Sequence, residues 1–388
     1  MPRPPKDQGA LSRLLVALTT LAVSFLLSLC AAEILVRMVR PQPRLVIEPG
    51  GFYSPDPPGR YRLSPGYRGR IYNRAEYSNE IRSNEAGLRG PELGSSSRES
   101  SRVLMVGDSF VFGVGVEDSE TFTALLPAGL SPEGIEAEGL NAGIPAFGIP
   151  DAESWLRRHG VELNPDVVVI AVFLGNDLVD ASPDREQILL VDGLLVPSQS
   201  AGGFKAWLHR HSHLFVAVKG LLEQPGFQPL RTKLGLGEPW QVRTLREELG
   251  VYRKSADLDL KPSIDATDEA LGRFQDLSSQ LGFELLAILI PSEIQLDPER
   301  WQGSLTRLGL DSTEYDPSTP TRIFQKLLAR HEIPTLDLGP AFAAGLSRGE
   351  ELFFRFDRHW TVEGHQLAAD ELARFMAPIL KSRDEPGR

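Results

Sequence analysis

A serine in the first third of the chain and an Asp-x-His-Trp run near its end are the residues whose types could act together chemically. Ser109 closes a Gly-Asp-Ser triplet, and the late run contains Asp357 and His359. A serine hydroxyl is a weak nucleophile until a base takes its proton, and that base needs a carboxylate to hold its tautomer. These three side chains are therefore candidates for the nucleophile, the base and the orienting acid of a serine hydrolase or acyltransferase.

Two further segments contain groups that could bind the negative charge developing on an attacked carbonyl oxygen. Gly143 ends an Asn-Ala-Gly segment, where a glycine lets the backbone turn an N–H toward a bound oxygen. Asn176, in Gly-Asn-Asp, offers a neutral carboxamide donor, and Ser109 can add its own backbone N–H. Taken alone, Gly143 fits an ordinary strand-end turn better than an oxyanion donor, and Asp177 fits a turn or cap residue better than a catalyst.

In this order, the four segments resemble those of the SGNH, or GDSL-type, hydrolase superfamily, in scattered blocks between about residues 102 and 380. The resemblance implies Ser109 as nucleophile and His359 as base. It also implies an oxyanion hole made of Ser109, Gly143 and Asn176. Many members carry the aspartate three residues before the histidine, whereas Asp357 lies two before it, as in the branch that resembles the alginate O-acetylation proteins. Asp357 can reach the imidazole only if the chain between them turns.

The scaffold for these residues is predicted by an alternation of strand and helix patterns that begins at Val103. Strands are expected at 103–106, 136–141, 167–173, 284–290 and 334–337, and helices at 119–129, 149–160, 266–281, 320–331 and 362–379. Such alternation predicts an α/β fold with three layers, α/β/α, around a parallel, flavodoxin-like sheet. A Gly-x-Ser-x-Gly elbow does not surround Ser109, which argues against the α/β-hydrolase fold.

Composition limits the classes of partner and cofactor. The chain has 388 residues, 41% of them hydrophobic, enough for one large domain with small additions. A net charge of −11 argues against a nucleic-acid partner. The single cysteine, Cys30, excludes an intrachain disulfide and a thiolate metal site, and we expect neither a metal nor a cofactor. His209, His211 and His213 would spread around a helix rather than converge on a metal.

The N-terminal segment predicts a membrane anchor. Between Arg13 and Glu33 lie 19 uncharged residues, which span about 28 Å as a helix. A cleavable signal usually has a shorter apolar core, about 7–15 residues, and no clear Ala-x-Ala site follows this one. Basic residues flank the span in equal number, so charge does not decide the orientation. The resemblance to enzymes of envelope or secreted substrates favours a catalytic domain on the extracytoplasmic side, periplasmic or extracellular.

Three regions follow from these patterns. We expect residues 1–38 to be a cytoplasmic tail and anchor, 39–98 a Pro/Gly-rich stalk that docks on the domain, and 99–388 an SGNH-like catalytic domain with an insertion at 178–262. The insertion contains a hairpin signal around Asp192-Gly193, followed by a helical pattern that includes Trp207. It is either a lid over the site or a packed surface segment.

The function expected from these observations is that of a membrane-anchored serine esterase acting on acyl esters, acetyl esters above all, for example of a carbohydrate. An O-acetyltransferase with the same triad is the first alternative. A non-catalytic glycan-binding or assembly protein with the fold retained is the second, and the intact set of Ser109, Asn176, Asp357 and His359 argues against it. An ester substrate and a membrane are the expected partners, and the sequence indicates no particular protein partner.

Overall fold

The computed structural model describes residues 8–39, 51–57, 60–73, 76–93, 100–185, 188–191, 194–197, 204, 207–208, 211–222, 225–227, 230, 233 and 240–384. The chain divides into two compact units. Met1–Leu45 and Ser200–Pro239 form the first unit, and Val46–Gln199 and Trp240–Arg388 form the second.

The N-terminal part of the chain contains one long helix and four short strands. Helix α1 (Gln8–Val39) is apolar and long enough, by length and composition, to cross a membrane. Two antiparallel pairs follow in the second unit: β1 (Tyr53–Pro55) with β2 (Tyr61–Leu63), and β3 (Arg68–Asn73) with β4 (Tyr77–Arg82). The described part of the segment 39–98 packs its aromatic and aliphatic side chains into the core beside the central sheet, including Phe52, Tyr61, Leu63 and Leu88.

The central sheet has five parallel strands. They are β5 (Ser101–Gly107), β6 (Ala137–Gly143), β7 (Val167–Phe173), β10 (Glu284–Ile290) and β11 (Thr335–Asp337). Their spatial order is β6-β5-β7-β10-β11, with parallel pairing throughout. In order of occurrence along the chain this arrangement is 2-1-3-4-5, the flavodoxin-like order. The predicted α/β fold is therefore confirmed.

Helices cover both faces of this sheet because each strand turns alternate apolar side chains to opposite sides. One face is packed by α4 (Ile149–Arg158), α9 (Lys261–Leu281) and α12 (Thr319–Arg330). The other is packed by α3 (Phe122–Leu130), α13 (Gly339–Ser347) and α14 (Val362–Asp384). Shorter or peripheral helices are α2 (Ser109–Phe112), α5 (Asp177–Asp180), α6 (His213–Leu222), α7 (Trp240–Gly250), α8 (Ala256–Asp259), α10 (Glu293–Leu296) and α11 (Pro298–Leu308).

The insertion at 178–262 contains the expected hairpin, formed by β8 (Ile188–Val191) and β9 (Leu194–Pro197) in antiparallel register. Its turn residues, Asp192 and Gly193, lie outside the described residues. The hairpin belongs to the second unit, whereas residues 200–239 of the same insertion belong to the first.

Candidate active site

The candidate residues follow neighbouring strands at the carboxyl edge of the sheet. Ser109 is the first residue of α2, directly after β5, and Asp108 caps that helix by accepting the Phe110 N–H at 2.9 Å. Asn176 precedes α5 after β7, the strand paired with β5. Strands β5 and β7, the first and third strands of the central sheet along the chain, lie on either side of the point where the strand order reverses. Open α/β sheets bind ligands at that point.

The serine, the histidine and the aspartate form one chain of hydrogen bonds. Ser109 Oγ lies 2.8 Å from His359 Nε2, and His359 Nδ1 is hydrogen-bonded to Asp357 Oδ1. All three side chains are partly exposed, so a substrate can approach the hydroxyl. With Nδ1 donating to the carboxylate, Nε2 is the nitrogen that accepts the serine proton.

A tight turn at Arg358 makes the two-residue spacing workable. Arg358 has a φ of 69°, the left-handed region that a non-glycine residue rarely adopts. Two backbone hydrogen bonds close the turn, from Phe354 N to His359 O at 2.8 Å and from Arg358 N to Phe354 O at 3.1 Å. The Arg358 guanidinium is also held, by Glu248 Oε2 at 2.8 Å. The carboxylate of Asp357 thereby folds back onto the imidazole ring.

The segment that precedes β5 supplies two residues, Glu76 and Tyr77, that contact the loop around Asp357. Tyr77 donates its hydroxyl to Asp357 Oδ2 at 2.7 Å. The Glu76 carboxylate accepts the backbone N–H groups of Phe356 and Asp357, each at 2.8 Å. Sequence reasoning missed both residues, because no local pattern links them to a loop some 280 positions later.

These contacts keep the Asp357 carboxyl ionised. Burial by itself would raise the pKa of Asp357, but the hydrogen bond and the attraction to His359, with the Tyr77 hydroxyl, lower it to about 2. Burial and the neighbouring Asp357 charge raise the pKa of Tyr77, which therefore remains a proton donor at neutral pH.

Arg89 fastens the loop that follows Ser109. Its guanidinium donates to the carbonyl oxygens of Phe112 and Gly113 at 2.5 Å each and to Val116 O at 2.6 Å. The same group pairs with Asp118 at 2.9 Å, and its side chain is 1% exposed. Arg89 thus braces the loop that follows Ser109 from the buried side.

Gly143 approaches the nucleophile helix so closely that no larger residue fits. A β-carbon at this position would lie 2.0 Å from the Phe112 backbone nitrogen. Its N–H, the expected oxyanion donor, already donates to Asn141 Oδ1 at 3.0 Å, while Asn141 Nδ2 donates to Val111 O. To act as the oxyanion donor that the resemblance implies, the Gly143 N–H must either donate to a bound oxygen as well as to Asn141 or break its hydrogen bond with Asn141.

Asn176 is better placed for that role. Asn176 immediately precedes α5, a position at which asparagine usually caps the helix. Its side chain makes no capping hydrogen bond to the residues of α5 that the structure describes. The side chain is partly buried. Because the Asn176 oxygen is not bound as a helix cap, the carboxamide is free of that constraint and can turn its Nδ2–H₂ group toward a ligand.

Two buried carboxyl groups lie beneath these loops. Burial raises the pKa of Asp108 to about 6, although the Phe110 N–H and His359 act in the opposite direction. Burial, reinforced by repulsion from Asp108, raises the pKa of Asp177 well above its usual range. Asp177 Oδ2 accepts the Phe173 N–H at 2.9 Å, which supports its interpretation as a turn residue.

Trp360 and His365, which follow His359 in the chain, are packing residues. Trp360 is fully buried, with its ring stacked on Phe342 at 4.8 Å and edge-on to Phe110 at 5.1 Å. His365 Nδ1 accepts the Phe122 N–H at 3.2 Å. Burial, together with the positive charge of Arg89, lowers the pKa of His365 to about 3, so the ring is neutral.

The described residues contain no group of three or more His, Cys, Asp or Glu side chains arranged to hold a metal ion. Of the alternating histidines, His209 lies outside the described residues.

Comparison with known proteins supports the resemblance. Residues 251–387 match the family model described as "SGNH hydrolase-like domain, acetyltransferase AlgX". Over 140 residues the chain is 28% identical to "Probable alginate O-acetylase AlgJ" from Pseudomonas fluorescens, a match that covers 34% of each protein. The chain thus spans about a third of the curated relative's length. These matches confirm the predicted resemblance to SGNH hydrolases, and the family model covers residues 251–387 of the chain.

Solved structures match over more of the chain but at low identity. A lipase/acylhydrolase from Enterococcus faecalis is 17% identical, covers 74% of this chain and 99% of its own, and has a TM-score of 0.37. The acetylxylan esterase Axe2 from Geobacillus stearothermophilus is 14% identical, with coverages of 72% and 96% and a TM-score of 0.39. These likenesses are too distant to carry an argument about activity.

Proposed function

We propose that the protein transfers acetyl groups from an ester through a covalent intermediate on Ser109. One observation carries this proposal: the hydrogen-bonded chain from Ser109 Oγ through His359 to Asp357, with 2.8 Å between the hydroxyl and the ring. This distance is the one that general-base removal of the serine proton requires. The Asp357 carboxyl has a pKa of about 2 and so stays ionised at neutral pH, where it stabilises the imidazolium that forms when His359 takes the proton.

The reaction has two halves that use the same residues. Ser109 Oγ attacks the ester carbonyl carbon while its proton passes to His359 Nε2, which then protonates the departing alcohol. In the second half, water or an acceptor hydroxyl gives its proton to His359 and attacks the acetyl-serine, and Ser109 recovers its proton. Water produces acetate, and an alcohol produces a new ester.

The oxyanion formed in each half requires donors. We assign them to the Ser109 backbone N–H and the Asn176 carboxamide, with Gly143 contributing when its N–H turns from Asn141. The absence of a capping bond at Asn176 and its place beside the Ser109 loop support this assignment. One such donor contributes about 3–4 kcal/mol to transition-state stabilisation in comparable enzymes.

Two acceptors remain open, water in an esterase and a sugar hydroxyl in an O-acetyltransferase. The family model of an acetyltransferase and the relative named an O-acetylase favour the transferase. We propose a carbohydrate hydroxyl as the acceptor on the same grounds.

The distinguishing experiment uses the purified full-length protein with an acetyl ester donor and an oligosaccharide acceptor. Free acetate and acetylated oligosaccharide are both measured, and a fluorophosphonate probe maps the reactive serine. We expect acetylated product and probe attachment at Ser109. Both signals should disappear in Ser109→Ala but remain in Ser131→Ala, an exposed control. Acetate alone would assign an esterase, and labelling that persists in Ser109→Ala would refute the mechanism.

We propose further that α1 anchors the enzyme in a membrane, with the catalytic domain on the extracytoplasmic side. The length and apolar composition of α1 support the anchor. The full-length protein should stay with membranes through carbonate and high-salt washing. A mature N-terminus close to Cys30 would show instead that the segment is a cleaved signal.

A further inference from the structure

Helix α6 is a short apolar helix whose side chains are all partly or largely exposed in the part of the chain that the structure describes. Its sequence is HLFVAVKGLL, and none of its ten residues is buried. Val218 and Leu221 are 46% and 45% exposed. Ten residues measure about 15 Å, about half of a bilayer's hydrocarbon thickness, so α6 is too short to span a membrane.

Glu33 attaches the start of α6 to α1. Its carboxylate accepts the Ser212 hydroxyl at 2.8 Å and the backbone N–H groups of His213 and Leu214 at 2.9 and 2.8 Å. The first N–H groups of a helix have no acceptor within the helix itself, and the Glu33 carboxylate provides one here. Glu33 is also the first charged residue after the uncharged run of α1. The start of α6 therefore lies where the membrane-spanning run ends.

Two exposed aromatic residues, Phe204 and Trp207, precede α6 in the chain. The rings of Phe204 and Trp207 are stacked at 5.9 Å, and Trp207 is stacked on His211 at 5.1 Å. Phe204 is 73% and Trp207 50% exposed. Tryptophan and other amphipathic rings are enriched at membrane–water interfaces.

The division of the chain into compact units agrees with a position of α6 beside α1. Residues 200–239 form one compact unit with residues 1–45, although more than 150 residues separate them. An insertion that packs with the anchor is suited to the membrane in which the anchor lies.

We propose that α6, with Phe204 and Trp207, inserts into the lipid leaflet in which the Glu33 end of α1 lies. The occupant of its apolar face is the acyl-chain region of the same bilayer. This inference rests on the proposed anchoring by α1. It assigns residues 204–222 to membrane attachment, in place of the lid that the sequence left open.

The single native cysteine makes a direct test possible. The full-length protein is reconstituted in phosphatidylethanolamine–phosphatidylglycerol vesicles with one nitroxide label per variant. One sample carries the label on native Cys30 within α1, and two others on Cys30→Ser combined with Val218→Cys or Leu221→Cys. The control combines Cys30→Ser with Leu281→Cys, an exposed α9 position in the second unit. Ester turnover verifies the folding of each.

Oxygen concentrates in lipid and a nickel chelate in water, so their relative accessibility reports the depth of each label. We expect oxygen to be the more accessible reagent for labels at positions 30, 218 and 221, and the nickel chelate for the label at position 281. The ratio of oxygen to chelate accessibility should differ at least tenfold between these two groups. Chelate access at 218 and 221 with a lipid-exposed Cys30 would overturn the inference but leave the anchor standing. Exclusion of both reagents at 218 and 221 would overturn it in favour of a protein partner. Chelate access at Cys30 would refute the anchor and the inference together.

Discussion

The Tyr77 hydroxyl donates a 2.7 Å hydrogen bond to the Asp357 oxygen that does not face His359, across 280 positions of sequence. Both carboxylate oxygens of the triad aspartate are thereby engaged, one by the imidazole and one by the phenol. Tyr77 acts through Asp357 and does not contact the reacting atoms, so it is a positioning residue.

Tyr77→Phe should lower kcat/KM by about 10- to 150-fold, the effect of losing one hydrogen bond to a charged group. Without the phenol, the Asp357 carboxyl loses one of the hydrogen bonds that lower its pKa, so that pKa rises. The acidic limb of the kcat/KM profile should therefore move to higher pH. Tyr67→Phe, which removes a hydroxyl from the same segment, is the control. An unchanged pH profile in Tyr77→Phe would assign the residue a purely structural role.

Asp357→Asn should reduce turnover by up to about 10⁴-fold, because an amide no longer holds the imidazole tautomer or stabilises its cation. Steady-state kinetics on a small ester measures the loss, and a thermal melt checks the fold. Asp184→Asn, at an exposed position, should be silent. A loss below about tenfold would indicate a Ser-His dyad.

Asn176→Ala should lose activity, whereas Gly143→Ala should lose stability. Asn176→Ala should lower kcat by about 10²- to 10³-fold while the unfolding temperature stays close to that of the wild type. Gly143→Ala should lower stability, because its β-carbon would lie 2.0 Å from the Phe112 nitrogen. Kinetics and melting curves on both variants separate the two effects. A stable Asn176→Ala with full activity would remove that residue from the oxyanion hole.

Arg89→Met should destabilise the protein by about 3–5 kcal/mol in urea unfolding, because it leaves three loop carbonyls without their donor and the buried Asp118 carboxylate without its buried partner. Arg82 offers a matched control, since it pairs with the same Asp118 at 3.0 Å but is 46% exposed. Arg82→Met should cost less than about 1 kcal/mol. Equal losses in the two variants would contradict the bracing role of Arg89.

Asp177→Asn should stabilise the protein more at pH 8 than at pH 4. The pKa of Asp177 is raised by burial, so the folded state keeps its proton to higher pH than the unfolded chain does. Wild-type stability is thus reduced as pH rises above about 4, where the unfolded carboxyl ionises. An asparagine can still accept the Phe173 N–H and avoids this penalty. Urea unfolding at the two pH values measures the difference, and a gain that does not grow with pH would contradict the assignment.

Local patterns in the sequence determined the layered fold and the positions from which the candidate residues act. The alternating apolar runs predicted the five sheet strands at 103–106, 136–141, 167–173, 284–290 and 334–337, and each lies within a few residues of its observed bounds. Parallel strands place their carboxyl ends at one edge, so Ser109 and Asn176 were expected there. Periodicity and turn chemistry are short-range properties, and a single sequence displays them.

Only the tertiary structure decided how the site is held. It turns the chain at Arg358 so that Asp357 reaches the imidazole, and it brings Tyr77 to the other carboxylate oxygen. It also directs the Gly143 N–H to Asn141, which the resemblance could not reveal. Such contacts join segments whose separation leaves no periodic signal. Their geometry follows from how the segment 51–93 packs beside the sheet, and that packing is a property of the folded chain as a whole.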